Sequence, residues 1–328
     1  MAGGPQGSNF LSVPLTNFSM GIMEREPSMA RRLLPRVPVD QQTSNYYVIP
    51  RGEWFRNKAK TLARASESAG GGWTLSEDTY SVKPHAYHKD NDDQDYANAS
   101  AQRIMNLDQA ATRFVTDAIT ISEDVRFAET FMPDAGNVWT YEVSGDATPS
   151  TGEFLFWDDA DSTPVNDVKT AAIAIAKATG GRRPNTMVVP PAVHQVLTEH
   201  PGVIGRFQYS QAGIVGEPEL ARLFGVQNYV VAWSVVNGAK EGAADALDFT
   251  LGENVLLAYF NPTAGPENQT AGSLFSWTGI DGPGTDMGVR VDRYRIPEKH
   301  VFRIEGFDAV DMKVTDAAAG ALFIDTLT

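Results

Sequence analysis

Cysteine is missing from all 328 residues. That excludes disulfides, thiolate nucleophiles and cysteine-ligated metals together, so stability has to come from packing and from partners. Histidine is scarce, with five residues in the chain, which thins the supply of general bases and metal ligands. No stretch approaches the roughly 18 consecutive apolar residues that span a bilayer, so no membrane association is expected. The first eight residues, Met-Ala-Gly-Gly-Pro-Gln-Gly-Ser, have neither a basic stretch nor an apolar core. They read as no secretory signal, and use in a cytosol is expected. Positive charge is also short: 27 Lys and Arg stand against 41 Asp and Glu, a net charge of −14. Proteins that grip nucleic acid from solution are usually basic, so direct sequence-specific DNA recognition is not expected. Acidity suits a protein kept soluble at high concentration.

Signatures of catalysis are lacking too. There is no Gly-x-Ser-x-Gly elbow, no phosphate-binding glycine loop ending in Lys-Ser/Thr, and no His-Glu-x-x-His. Gly282-Pro-Gly284 lacks the third glycine and the following helix of a dinucleotide loop. His85 and His88 sit three apart with no third ligand in reach, which favours a surface role over a metal site. Asp90–Asp95 resembles the start of a calcium loop, but Asp95 occupies the glycine position and the closing glutamate is missing. Asp158, Asp159 and Asp161 precede a predicted helix, where carboxylates offset the dipole. His194 has no visible nucleophile or carboxylate partner. Neither an enzyme activity nor a cofactor is expected.

What is present is organisation. Residues 1–45 hold prolines at 5, 14, 27, 35 and 38, which break any long helix. Apolar residues are scattered along them without period, so the segment cannot bury them on itself. It is either disordered or laid across a neighbouring subunit, and the apolar content favours the second. Arg31-Arg32-Leu33-Leu34 reads as a helix turn bearing a solvated basic patch; Arg31 and Arg32 are also candidate intersubunit contacts.

Residues 46–100 read as a long projection. A strand at Tyr46–Ile49 leads to a basic limb with Arg51, Arg56, Lys58, Lys60 and Arg64. Gly70–Gly72 marks the tip, Thr79–Val82 returns, and the acidic run Asp90–Asp95 closes the segment. A two-stranded projection is not stable alone in water, so a neighbouring copy is the natural support. The opposite charges of its limbs suit head-to-tail contact between subunits. Trp54 and Phe55, on the basic limb, are candidate intersubunit anchors.

The longest predicted helix is 106–132, capped at Asn106 and stopped before Pro133. Its apolar stripe is read as Leu107, Ala110, Ala111, Phe114, Ala118, Ile121, Val125 and Ala128. Two strands follow within 138–157. A helix opens at Thr163-Pro164 and ends on Gly180-Gly181. The most informative stretch runs from Asn185 to Val236: a buried strand at Thr186–Val189 stops at Pro190-Pro191 and opens a helix, a second helix runs from Pro218 to Gly225, and a strand returns at Tyr229–Ala232. The last forty residues read as antiparallel β, with strands at Val289–Ile296, His300–Phe307, Ala309–Val314 and Leu322–Asp325.

This order of parts, with the passages at Pro164-Val-Asn-Asp-Val-Lys and Asn185–Trp233, resembles the tailed-bacteriophage major capsid proteins of the Hong Kong 97 type. The resemblance implies an α+β chain with an N-arm at 1–45, an E-loop at 46–100, a P-domain at 101–163 including the spine helix, an A-domain at 164–285, and a returning β segment at 286–328, mainly P-domain. It implies hexamers and pentamers forming an icosahedral shell around double-stranded DNA, assembled in a host cytoplasm and ending in the virion. Portal protein, a separate scaffolding protein and a decoration protein are implied partners. Some members join subunits through a lysine and an asparagine, but nothing in the sequence assigns that role to Lys58 or Lys60. Two other readings stand beside it: an encapsulin-like nanocompartment shell, and a soluble enzyme with an unrecognised site.

Overall fold

The computed structural model describes residues 28–48, 55–62, 64, 67–68, 70–72, 76–98, 101–134, 137–207, 215–240, 242–263, 268–279 and 289–328, without the side chains of 101–106. Along the chain, α1 (Met29–Leu33), β1 (Arg36–Val39), β2 (Thr43–Val48), β3 (Ser76–Ser81) and β4 (Lys83–Asp92) precede α2 (Asp93–Ala97) and the long α3 (Ala101–Phe131). Then come β5 (Tyr141–Asp146), β6 (Glu153–Leu155), α4 (Pro164–Ala178), β7 (Thr186–Val189), α5 (Pro191–Glu199), α6 (Pro201–Phe207) and α7 (Glu217–Phe224). The chain closes with β8 (Asn228–Val231), β9 (Val235–Asn237), β10 (Leu247–Phe249), β11 (Val255–Ala258), β12 (Gly272–Trp277), β13 (Arg290–Ile296), β14 (Val301–Val314) and β15 (Gly320–Ile324).

Two sheets organise these elements. A six-stranded sheet has the order β6-β5-β15-β11-β7-β8, and a five-stranded sheet has the order β1-β12-β14-β13 with β4 also on β14. The six-stranded sheet is apolar on both faces. Met187, Val189, Val255, Leu257, Ala321 and Phe323 point to one side, into a core with α4, α5 and α7. Val188, Leu256, Ala258 and Leu322 point to the other, against Phe127, Phe131 and the β12–β14 sheet. Strands covered on both faces need continuous apolar runs rather than alternation. That is why Thr186–Val189 is legible as a buried strand from the sequence.

Helix α3 lies on the five-stranded sheet as the spine the sequence predicts, but it begins at Ala101, so Asn106 is inside it rather than a cap. Its buried row is Ala111, Val115, Ile119, Glu123, Phe127 and Phe131, stepping by four. Phe114 and Ile121, assigned to the inner stripe from the sequence, are instead 51% and 39% exposed. The helix packs tightly on β14 at Gly306, where a Cβ would sit 2.5 Å from Val115 Cγ1 and 2.8 Å from Ile119 Cδ1. Glycine is required there by contact, not by backbone angle.

Other expectations are revised. The two strands read at His300–Phe307 and Ala309–Val314 are one continuous strand, because Asp308 is buried in an ion cluster rather than marking a turn. The last strand, β15, belongs to the six-stranded sheet. The short hairpin β9–β10 has no counterpart in the sequence reading. Residues 28–39, within the segment read as arm and intersubunit strap, pack on their own chain: β1 pairs in parallel with β12, and Ala30 and Leu34 are buried in the second core.

Candidate assembly surface

The N-terminal segment is fastened by charge. Ser28 caps α1 and donates its hydroxyl to Glu123 Oε2 at 2.5 Å. Arg31 reaches both Glu123, at 2.5 Å, and Asp308 Oδ1, at 2.8 Å; its side chain is 8% exposed and both carboxylates are fully buried. Arg126 adds a second cation, 3.4 Å from Asp308 Oδ2. Three elements, α1, α3 and β14, thus meet at one cluster of two arginines and two carboxylates. Arg31 is therefore not part of a solvated patch but is engaged inside its own chain; Arg32 beside it is exposed. Burial pushes the Asp308 carboxyl up to about 7, reinforced by Glu123 and opposed by Arg31 and Arg126. Burial pushes Glu123 the same way, but the charge and hydrogen bonds of Arg31 outweigh it and hold Glu123 below the usual range. Glu123 was detectable in the sequence, since it interrupts a row of apolar residues between Ile119 and Phe127 at helical spacing.

The projection carries the remaining predicted contacts. Its base is the pairing of β2 with β3, which keeps Thr43–Val48 against Ser76–Ser81. Arg56, Lys58, Lys60 and Arg64 are all exposed on its outgoing limb. A Cβ at Gly71 would meet Lys58 Cδ at 3.6 Å, so the two limbs run close together. Phe55 is 59% exposed, yet its ring covers Gly180 of the same chain, where φ is +73° and a Cβ would fall 2.1 Å from Phe55 Cζ. Arg51 and Trp54 lie outside the described residues.

The acidic run Asp90–Asp95 does not belong to the projection. Residues 83–92 form β4, in register with β14 along ten residues. Asp90 takes a bidentate bond from Arg303, at 2.7 and 2.9 Å, and Asp93 pairs with Arg295. Asp90 and Asp93 are thus engaged inside the chain, while Asp92 and Asp95 are exposed. The two pairs are half-exposed and contribute little each.

Exposed apolar side chains cluster in two further places. Tyr87 on β4 meets Phe114 on α3 with ring centroids 5.8 Å apart, and Ile121 lies two turns further along the same helix face. A second group, Trp233, Val235 and Leu247, surrounds the β9–β10 hairpin.

Groups with catalytic possibilities are occupied otherwise. His194 Nδ1 lies 3.1 Å from the Tyr229 hydroxyl, and burial lowers its pKa despite Glu217. Buried His200 has Nε2 3.0 Å from Ser162 Oγ, but its Nδ1 accepts the Gly202 N–H. The proton is therefore on Nε2, and this imidazole cannot act as base toward Ser162. His85 is lowered by burial and by nearby Arg126 and Lys83. Among the described residues, no group of three His, Asp or Glu side chains could hold a metal ion, and no helix is long and apolar enough to cross a membrane.

No family model matches the chain. The major capsid protein of Burkholderia phage BcepMu is 30% identical over 164 residues, which is 50% of this chain and 50% of that protein. The chain thus matches about half the length of this curated relative. A phage-related protein from Bordetella bronchiseptica RB50 has a similar structure, with a TM-score of 0.72 at 20% identity over 98% of this chain and 99% of that one. The capsid structure of cyanophage P-SCSP1u gives a TM-score of 0.58 at 9% identity, over 99% of this chain and 91% of its counterpart. The spine helix on its antiparallel sheet, the mixed domain beside it and these end-to-end matches agree: the chain has the Hong Kong 97 type fold of the tailed-bacteriophage major capsid proteins.

Proposed function

We propose that this chain is a structural shell protein, assembling as hexamers and pentamers into an icosahedral capsid around phage double-stranded DNA. The observation that carries the reading is the pairing of an end-to-end capsid fold with a partial sequence match to a phage major capsid protein. Its work on this reading is assembly: many weak contacts, each insufficient alone, summed over a closed surface. An acidic chain also suits a lining that faces packaged DNA without adhering to it. A scaffolding protein, a portal and a decoration protein remain proposed partners, and assembly in a host cytoplasm the proposed route to the virion.

The exposed cations Arg56, Lys58 and Lys60 are the proposed steering charges. Asp90 and Asp93 of the chain's own acidic run are paired internally, so an acidic surface on a neighbouring copy is the proposed complement. Electron microscopy and sedimentation of the chain, expressed alone and with its neighbouring genes, test the proposal. Closed shells or five- and six-fold rings are expected, with nucleic acid inside; protein cargo inside would support a nanocompartment instead. A discrete small oligomer under all conditions would overturn the shell reading. Reversing the three cations to glutamate is expected to leave a folded subunit that forms no shells; normal shells from that variant would remove the steering role.

A further inference from the structure

Helix α4 ends in two consecutive glycines, and the two are held differently. The Thr179 N–H bonds the Ile175 carbonyl at 2.8 Å, and the Gly181 N–H reaches back to the Ala176 carbonyl at 2.6 Å. This is the bonding of a left-handed helix end, with φ at +73° for Gly180 and +101° for Gly181. The buried Thr179 hydroxyl braces the turn from inside, 2.7 Å from the Ile175 carbonyl oxygen and 3.0 Å from that of Arg182. Backbone angle asks for glycine at both positions. Space asks for it at one. A Cβ on Gly181 would meet nothing within 4 Å, whereas a Cβ on Gly180 would overlap Cζ, Cε1 and Cε2 of Phe55, the last at 2.7 Å.

That second demand comes from another part of the molecule. Phe55 belongs to the outgoing limb of the projection, whose paired base is β2 with β3. Gly180 belongs to the domain on the six-stranded sheet, where Val168, Ala171 and Ile175 bury α4 in the first core. The end of α4 is therefore a fixed platform. In helix ends of this type the residue after the left-handed glycine commonly lays an apolar side chain back over the last turn. Gly181 has none to supply, and the Phe55 ring lies on the turn in its place. The ring stays 59% exposed. Part-burial of one phenyl is a modest contact, enough to bias an orientation and weak enough to be given up.

We propose that Phe55 on Gly180 is a releasable latch. It holds the outgoing limb against the end of α4 and so fixes the direction in which residues 56–62 leave the body of the subunit. Lys58 and Lys60 follow directly on the limb, so the latch also sets where these cations point. The contact lies within one chain and does not depend on whether shells form.

The absence of cysteine allows two nitroxide labels to be placed without background. Leu62→Cys and Ile173→Cys, at side chains 61% and 70% exposed, put one label on the limb and one on α4. Dipolar electron spin resonance of the full-length unassembled subunit, diluted with unlabelled chain, reads the distribution of distances between them. The labelled parent is expected to give a narrow distribution. Phe55→Ala is expected to widen it about twofold or more, as for a flexible chain segment. Gly180→Ala, which takes the seat from the ring, is expected to widen it likewise. Gly181→Ala adds a Cβ at an equally unfavourable backbone angle without the overlap, and Phe55→Tyr keeps the ring; both are expected to leave the width unchanged. A distribution as narrow in Phe55→Ala as in the parent would overturn the proposal. So would a broad distribution in the parent, or equal widening by the two glycine variants. Far-UV circular dichroism of each variant confirms that the distances come from a folded protein.

Discussion

Replacing Arg31 with methionine removes one cation from a cluster sealed between α1, α3 and β14. Methionine keeps most of the length of the side chain, so the experiment removes charge more than volume. Glu123 and Asp308 then stay buried, Glu123 holding the Ser28 hydroxyl and Asp308 keeping Arg126 at 3.4 Å. Breaking a buried ion pair from one side costs about 3–5 kcal/mol; the surviving partners place this variant near the lower end, about 3 kcal/mol. The pH dependence carries a sign. Arg31 holds both carboxyls below the values that burial alone would give them. Without it both pKa values rise, and the folded state takes up protons that the unfolded chain releases. Folding is then penalised more as pH rises and less as it falls. Urea unfolding of the subunit followed by circular dichroism at pH 5 and pH 8 measures both effects. The loss is expected to be larger at pH 8, and Glu123→Gln on top of Arg31→Met is expected to restore part of it, a non-additive result. A loss under about 1 kcal/mol at pH 8, or the same loss at both pH values, would refute the reasoning.

Asp308→Asn isolates the raised carboxyl. A group at about 7 when folded, against an ordinary 3.8, stabilises the fold fully below pH 3.8 and loses that contribution as pH rises through 7; the interval corresponds to roughly 4 kcal/mol. The variant is expected to lack this decline between pH 4 and 7, seen in unfolding midpoints compared with the parent. Gly306→Ala is expected to cost about 1–3 kcal/mol by pushing Val115 and Ile119 off β14, measured by urea unfolding. Deleting residues 1–27 is expected to leave a soluble folded subunit. Deleting 1–40 also removes Arg31, Ala30, Leu34 and β1, and is expected to leave the chain misfolded or insoluble, judged by circular dichroism and sedimentation.

The parts of the fold legible in the sequence are those set by local chemistry. Thr163-Pro164 opens a helix, Gly225 in the left-handed region closes one, and Thr186–Val189 can be buried on both faces only if it is a strand. What was illegible depends on contacts distant in sequence. Arg31 looks like a surface arginine until Glu123 and Asp308 are brought to it from 92 and 277 residues away. Asp90–Asp95 looks like a free acidic tail until β14 supplies Arg303. Phe114 and Ile121 fit an apolar stripe as well as Val115 and Ile119 do. The contacts of Val115 and Ile119 with Gly306, and of Phe127 and Phe131 with the second core, show which row faces the sheet.

The six-stranded sheet also constrains how this chain can change shape. Its strands feed alternate side chains to two cores: Leu257 and Phe323 to the one with α4, Leu256 and Leu322 to the one with the spine helix. A hinge between the sequence segments 101–163 and 164–285 would have to shear that sheet or expose one of its faces. Packed interiors resist such partial opening. The arginine–carboxylate cluster adds a second tie, joining spine, sheet and N-terminal segment. Rearrangement during assembly is therefore expected outside the two cores, in the described part of the projection at residues 55–62 and 70–72. Hydrogen exchange compared between free subunit and assembled particle would carry this signature: altered protection outside the two cores, and unchanged protection in β7, β11 and β15. Changed protection in those three central strands would mean that the cores themselves reorganise, against the shared-sheet argument.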